Sequence, residues 1–316
     1  MQSTGRITPA LRRMVNDSYD RCRTCGVALP PAVAAFAGYA SDSLPLYVGQ
    51  CCKSSIHELA THVYWWWEAD KRVASDTVLW RYMDLARLVA LLDEQALHFA
   101  RADQFDDRFE AASGTKDLKP RWDAHYLDFF RHAIRTTPGL IEPPSDEEVE
   151  HEAARLLREF SQSAAIDRER LFVSCWHANA GESEALWRLY CPPPTTGLVI
   201  QTTAERLIRA VGDAPVKIGK VQYIDFANGF AGIHERIFTK RKSLNHEAEV
   251  RLVIQESHST GELGKSIPVD VKCLVAAVIP SPFAPAWFTP VLKTTLGRYG
   301  ITVPFRSSEI LAEPFF

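Results

Sequence analysis

Four of the seven cysteines fall in the first sixth of the chain, and that crowding sets the domain plan. Cys22-Arg23-Thr24-Cys25-Gly26 places two thiols two residues apart, with a glycine behind them that permits a tight turn. Val48-Gly49-Gln50-Cys51-Cys52 repeats the arrangement, again with cysteines just after a glycine. A tetrahedral zinc takes four soft ligands, and a C-x-x-C pair followed by a second pair supplies them. Cys22, Cys25, Cys51 and Cys52 are therefore the expected ligands of a structural zinc. Adjacent cysteines chelate poorly, which leaves the fourth ligand open between this pair and His57 or His62. The competing reading is four buried small hydrophobes; clustering in a short, loop-rich stretch favours metal. Residues 1–77 thus read as a zinc-ribbon-like module with its linker, and residues 78–316 as a larger domain.

The larger domain has ample core material, since 46% of the 316 residues are hydrophobic. The 36 basic and 39 acidic residues leave a net charge of −3, which gives no global electrostatic case for nucleic acid. Met1 to Asp17 is polar and lacks an apolar leader. Apolar patches such as Pro31 to Ala40 are far below the roughly 20 residues that a spanning helix needs. A cytoplasmic protein with reduced thiols and no membrane partner is the expectation.

From Val78 the pattern changes. A strand over Val78 to Tyr82 leads into a helix with Asp84 as N-cap, and a strand over Ala96 to Ala100 follows. Residues 120–170 read as a helical insertion, with Ser145 and Glu148 forming a capping box. Further strands are expected at Leu171 to Cys175, Gly197 to Gln201, Val216 to Ile224, Glu249 to Ile254 and Val271 to Ile279. Helices are expected from Glu182 to Tyr190, after a cap at Thr202, and before Tyr299-Gly300. Short, irregularly spaced strands point to an α+β fold with a mixed, mostly antiparallel sheet rather than a regular βαβ array.

Four polar clusters sit at the ends of these elements. Arg81-Tyr82 ends a strand, where a guanidinium can grip phosphate or carboxylate. Asp106, Asp107 and Glu110 are flanked by Phe105 and Phe109; they either bind a hard cation or cap the loop. Ser174-Cys175-Trp176-His177 leads into a helix on which Trp187 and Tyr190 share a face, either to stack a planar ring or as a core stripe. Cys175 with His177 makes no nucleophile dyad without a third orienting group. Lys240 to Ile254 is a basic turn running into a strand whose Glu247, Glu249 and Arg251 share one face. There Glu249 either acts on a substrate or pairs with a basic neighbour.

Arg81-Tyr82, Phe105-Asp106-Asp107-x-Phe109-Glu110, Ser174-Cys175-Trp176-His177 with Glu184-x-x-Trp187-x-x-Tyr190, and Lys242-x-x-x-His246-Glu247-x-Glu249-Val250-Arg251 occur in an order that resembles the bacterial domain of unknown function 2971. The resemblance runs from about Val78 to the C-terminus, with Arg108 where that family usually carries proline. A second resemblance, at the level of the fold, is to ADP-ribosyltransferases. It implies that Arg81, Ser174 with Tyr190, and Glu249 are catalytic. It also implies that Arg81, Tyr82, His177, Trp187 and Tyr190 hold NAD, the cationic nicotinamide lying on an aromatic face. Glu249 would then stabilise oxocarbenium-like charge beside the ribose. The acceptor would be nucleic acid or protein, in a toxin or phage-defence setting. This chemistry expects Arg81, Tyr190 and Glu249 to line one cleft. The rival expectations are a magnesium nuclease built on Asp106, Asp107, Glu110, Glu247 and Glu249, and a non-catalytic module that binds nucleic acid or protein.

Overall fold

The computed structural model describes residues 12–15, 22, 27–28, 34–39, 45–49, 51, 73–136, 142–193, 196–212, 214, 216–232 and 236–316. In the N-terminal region β1 (Arg12–Val15), β2 (Ala34–Tyr39) and β3 (Pro45–Gly49) pair antiparallel in that order. Cys22 is buried, and its Sγ receives the backbone N–H of Gly49 at 3.4 Å. Cys51 is exposed. Cys25, Cys52, His57 and His62 lie outside the described residues.

The large domain opens with β4 (Val78–Asp84), α1 (Leu85–Glu94) and β5 (Ala96–Arg101). The Asp84 carboxylate accepts the N–H of Arg87 at 2.7 Å and caps α1 as its sequence position predicts. Next come two helices, α2 (Lys119–Arg135) and α3 (Asp146–Arg168). The Ser145–Glu148 capping box forms in full. Trp122 and Tyr126 of α2 meet Phe160 of α3 at ring distances of 5.9 and 4.9 Å, which joins the two helices of the insertion.

The chain continues through β6 (Leu171–His177), α4 (Glu184–Tyr190), β7 (Gly197–Thr203), α5 (Ala204–Val211), β8 (Lys217–Lys220) and β9 (Gln222–Ile224). It ends with β10 (Thr239–Arg241), β11 (Glu249–Gln255), β12 (Gly264–Pro268), α6 (Val271–Leu274), β13 (Ala277–Pro280) and α7 (Phe288–Arg298). Eight strands form one sheet: β12-β5-β6-β4-β7-β13 in sequence, with β11 on the other edge of β6 and β8 beyond it. Every named pair in this sheet is antiparallel. The parallel pair β9–β10 stands apart. The mixed α+β architecture expected from the sequence is therefore present.

Several boundaries differ from the sequence expectation. The cap of α5 is Thr203, whose side chain accepts from Arg206, while Thr202 stays buried in β7. The apolar run from Val216 to Ile224 breaks at Val221, whose N–H turns to the carbonyl of Glu249, so β8 and β9 join different sheets. Val271 to Leu274 is helical because the Asp270 side chain caps it through the N–H of Cys273, and the strand begins only at Ala277. Glu247 closes a 3-10 stretch over Lys242–Glu247 rather than lying on the strand. Ala248 takes a left-handed φ of 43° and turns the chain into β11.

The sheet has two unlike faces. On one, Leu88, Leu92, Leu207, Leu274, Leu292 and Leu296 from α1, α5, α6 and α7 pack with Leu79, Phe172, Trp176 and Leu252 into the main apolar core. On the other, α4 packs Leu186 and Trp187 against Trp80, Tyr82 and Val199.

Gly197 fixes the approach of α4 to this second face, because a Cβ there would overlap the Cβ and Sγ of the buried Cys191 just after the helix. The Cβ is anchored to the backbone and cannot swing away. Gly197→Ala is expected to lower unfolding free energy by about 1–3 kcal/mol despite its gain in backbone entropy. Urea titration of the two proteins measures this.

Candidate functional site

The site lies where the sheet splits. On one edge β6 pairs with β5 through Phe172 and Val173, and with β4 only at His177 opposite Trp80. Between these two contacts β4 and β5 diverge, leaving a wedge along Ser174, Cys175 and Trp176. Arg81 fills it. Its Nη1 donates to the Ser174 hydroxyl at 2.7 Å, its Nη2 reaches the His98 carbonyl at 3.4 Å, and its guanidinium lies 5.5 Å from the Trp176 ring. Burial lowers the Arg81 pKa to about 10, so it still carries its charge at neutral pH.

A cleft of about 500 Å³ opens at this split, lined among others by Arg81, Tyr82, His98, Cys175, His177 and Tyr190. Its aromatic wall is built from three elements. Tyr82 and Tyr190 stack with centroids 6.3 Å apart, and His177 lies 5.8 and 5.2 Å from them. Trp187 stands edge-on to Tyr82 at 4.9 Å, fully buried, with its indole N–H on Glu182 at 2.9 Å. It therefore supports the wall from behind and is not part of the cleft lining. Burial raises the Tyr82 phenol to about 12, and also raises Tyr190 and the Cys175 thiol, so all three stay protonated at neutral pH. A thiol held in its protonated form is a poor nucleophile.

Behind the wall is a buried cluster of ion pairs. Arg251 has no exposed side-chain surface. It donates to both oxygens of Glu110 at 2.5 and 2.9 Å, to Glu249 at 2.7 Å and to the Ile237 carbonyl at 2.6 Å. Lys240 donates to Glu247 at 2.6 Å and to Glu249 at 3.1 Å. The Glu249 N–H donates to the Tyr223 hydroxyl at 2.8 Å. Burial alone would push the Glu249 carboxyl up, but the charges of Arg251 and Lys240 outweigh it and hold the pKa at about 2. Glu247 moves the other way: burial and the neighbouring Glu249 charge both raise it. The count explains the difference. Glu110, Glu247 and Glu249 face two cations: Glu249 is held by both, whereas Glu247 has Lys240 alone and sits beside the Glu249 charge that raises it.

Strand register decides which expected residues meet. Trp80, His177 and Glu249 are cross-strand neighbours and share one face; Arg81 and Ser174 lie an odd number of residues along and face the other way. Arg81 and Tyr190 line the same cleft through the split. Glu249 is 3% exposed, is engaged by two cations, and is not among the lining residues. Arg81 and Tyr190 thus share the cleft, and Glu249, expected beside them, does not reach it.

Four of the five acidic residues proposed for magnesium are engaged by basic side chains. Asp107 caps the Phe109 N–H at 3.0 Å and pairs with Arg241 at 2.7 Å, the loop-capping role; Glu110, Glu247 and Glu249 pair as above. Among the described residues no group of three or more His, Cys, Asp or Glu gathers as a metal site. Two participants escaped the sequence reading: His98, whose neutral ring lines the cleft, and Lys240, which the sequence reading placed in a basic turn. The signal for Lys240 was the two carboxylates, Glu247 and Glu249, within the next nine residues.

No family model matches the sequence, and the search of curated proteins found no match. Among solved structures the chain is similar to the DarT of Thermus sp. 2.9 in complex with ADP-ribosylated ssDNA. Identity is 11%, the match covers 75% of this chain and 96% of that one, and the TM-score is 0.32. A likeness of that size carries no argument about activity. Among the described residues, no helix is long and apolar enough to cross a membrane.

The charge count in the buried cluster makes a prediction. Arg251→Met leaves the buried Glu110 without its cation and Glu249 with Lys240 alone, and is expected to cost about 3–5 kcal/mol of stability. Glu247→Gln keeps an acceptor for Lys240 and relieves the repulsion with Glu249, and is expected to change stability by less than about 1 kcal/mol at pH 7. Urea unfolding of the two variants beside the parent protein tests the contrast.

Proposed function

We propose that the cleft binds NAD and that the protein is an ADP-ribosyltransferase-like enzyme acting on a nucleic-acid or protein acceptor. The observation that supports this most is the pairing of a fixed guanidinium with an aromatic wall in one cleft. Arg81, clamped by Ser174, suits an anionic phosphate or a ribose hydroxyl. Tyr82, Tyr190 and His177 suit a planar ring, and the volume of about 500 Å³ falls in the range of small-molecule sites. NAD carries both features, and its cationic nicotinamide supplies a leaving group that departs neutral. In this reading Glu249 is a positioning residue: it holds Lys240 and Arg251, and its strand β11 pairs with β6, which carries His177.

A thermal-shift titration tests NAD binding. Saturating NAD is expected to raise the melting temperature. Arg81→Lys keeps the charge and loses the forked geometry; it is expected to weaken binding about tenfold or more, the loss of a charge-assisted hydrogen bond. A melting temperature unmoved by NAD at millimolar concentration contradicts the reading and favours a non-catalytic binding module.

The N-terminal cysteines are proposed to hold a structural zinc. The Gly49 N–H directed at the Cys22 sulfur at 3.4 Å is a bond that stabilises a thiolate. Elemental analysis is expected to give one zinc per chain, lost in Cys22→Ser.

A further inference from the structure

We propose that His177 is the general base of the cleft, taking the proton from the acceptor group through its Nε2. This assignment rests on the transferase reading.

The tautomer follows from one hydrogen bond. His177 Nδ1 lies 2.7 Å from the backbone carbonyl of Glu247. A carbonyl only accepts, so Nδ1 carries the hydrogen. Burial depresses the His177 pKa below its ordinary 6.5, so at neutral pH the ring is uncharged and Nε2 holds a lone pair. The residue lines the cleft between Tyr82 and Tyr190. An imidazole whose far nitrogen is fixed on a carbonyl and whose near nitrogen is a bare acceptor has the geometry of a general base.

The other titratable groups around it are committed elsewhere. Glu249 and Arg251 on β11 are paired with each other. Lys240 on β10 is held between Glu247 and Glu249. Tyr223 on β9 accepts from the Glu249 N–H. On β4, Arg81 is bound to Ser174, and the Tyr82 hydroxyl accepts from the Ser183 N–H at 3.1 Å. Burial keeps Cys175 on β6 and Tyr190 on α4 protonated. The carboxylate that the fold-level resemblance assigns to catalysis is thus occupied by two cations, while the imidazole beside it is available.

In the reaction, Nε2 takes the proton of the acceptor's hydroxyl or amine as that atom bonds to the anomeric carbon of the ribose. The bond from that carbon to the nicotinamide nitrogen breaks, and its electron pair stays on the ring, which leaves neutral. The proton on Nε2 then passes to solvent. Acceptor, ADP-ribose and nicotinamide account for every atom, with no oxidant or reductant.

The test uses the full chain, its nicotinamide release from NAD with water as acceptor, and His177→Asn. Asparagine keeps a donor for the Glu247 carbonyl and removes the base. The expected result is a fall in kcat of about 10²–10⁴-fold with KM for NAD changed far less. The parent protein loses activity as pH falls through a midpoint below 6.5, because the protonated ring is no longer a base; the variant lacks this limb. Nitrogen NMR of the parent ring is expected to show the Nδ1–H tautomer at pH 7. An Nε2–H tautomer, or an acidic limb that persists unchanged in His177→Asn, overturns the assignment while leaving the transferase reading standing. A parent protein that neither binds NAD nor releases nicotinamide overturns that reading, and the base assignment with it.

Discussion

A guanidinium with no exposed surface lies beside the split in the sheet, and much of the architecture around the cleft is arranged to keep it there. Removing a guanidinium from water costs several kcal/mol unless its donors are met. Arg251 is met by Glu110 from the loop after β5, by Glu249 two residues before it, and by the Ile237 carbonyl. Those partners come from three separated parts of the chain, so the requirement to satisfy one side chain gathers the loop after β5, the approach to β10 and the start of β11. Lys240 extends the cluster to Glu247, and the Glu247 carbonyl in turn fixes the His177 ring. The orientation of the cleft imidazole is thus linked through hydrogen bonds to a buried charge pair on the next strand.

The second constraint is the split itself. A strand whose backbone groups lose a neighbour needs another partner for its polar surroundings. Arg81 occupies the wedge between β4 and β5 and satisfies the Ser174 hydroxyl there, with the Trp176 ring beneath it. The same guanidinium faces the cleft. One residue therefore holds the divergence of the strands and lines the opening it creates, which ties ligand recognition to the shape of the sheet.

Much of this was legible in the sequence because it depends on local chemistry. Asp84 and the Ser145–Glu148 box start their helices where side-chain caps belong. The alternation around Glu249 and Arg251 was visible as two charges on one face of an apolar strand. Less legible were features decided by tertiary partners. Val271 to Leu274 is as apolar as a strand, but Asp270 caps it into a turn of helix. Ala248 adopts a left-handed conformation with no glycine to announce it. The separation of Arg81 from Glu249 was hidden for a different reason. The order of residues along a chain does not reveal sheet register, and an offset of one residue moves a side chain to the opposite face. Trp187 similarly reads as half of a stacking pair with Tyr190, yet only Tyr190 reaches the cleft.

The central claim is that NAD lies in the split with its cationic ring on the Tyr190 side and its phosphates toward Arg81. A crystal structure of the full chain with NAD bound tests it most directly. The account predicts a phosphate or ribose oxygen within hydrogen-bonding distance of the Arg81 guanidinium, nicotinamide against Tyr190, and His177 Nε2 directed at the anomeric carbon's open side. NAD seated elsewhere, or a ring in the cleft with Glu249 released from Lys240 and Arg251 to touch the ribose while His177 turns away, would contradict it.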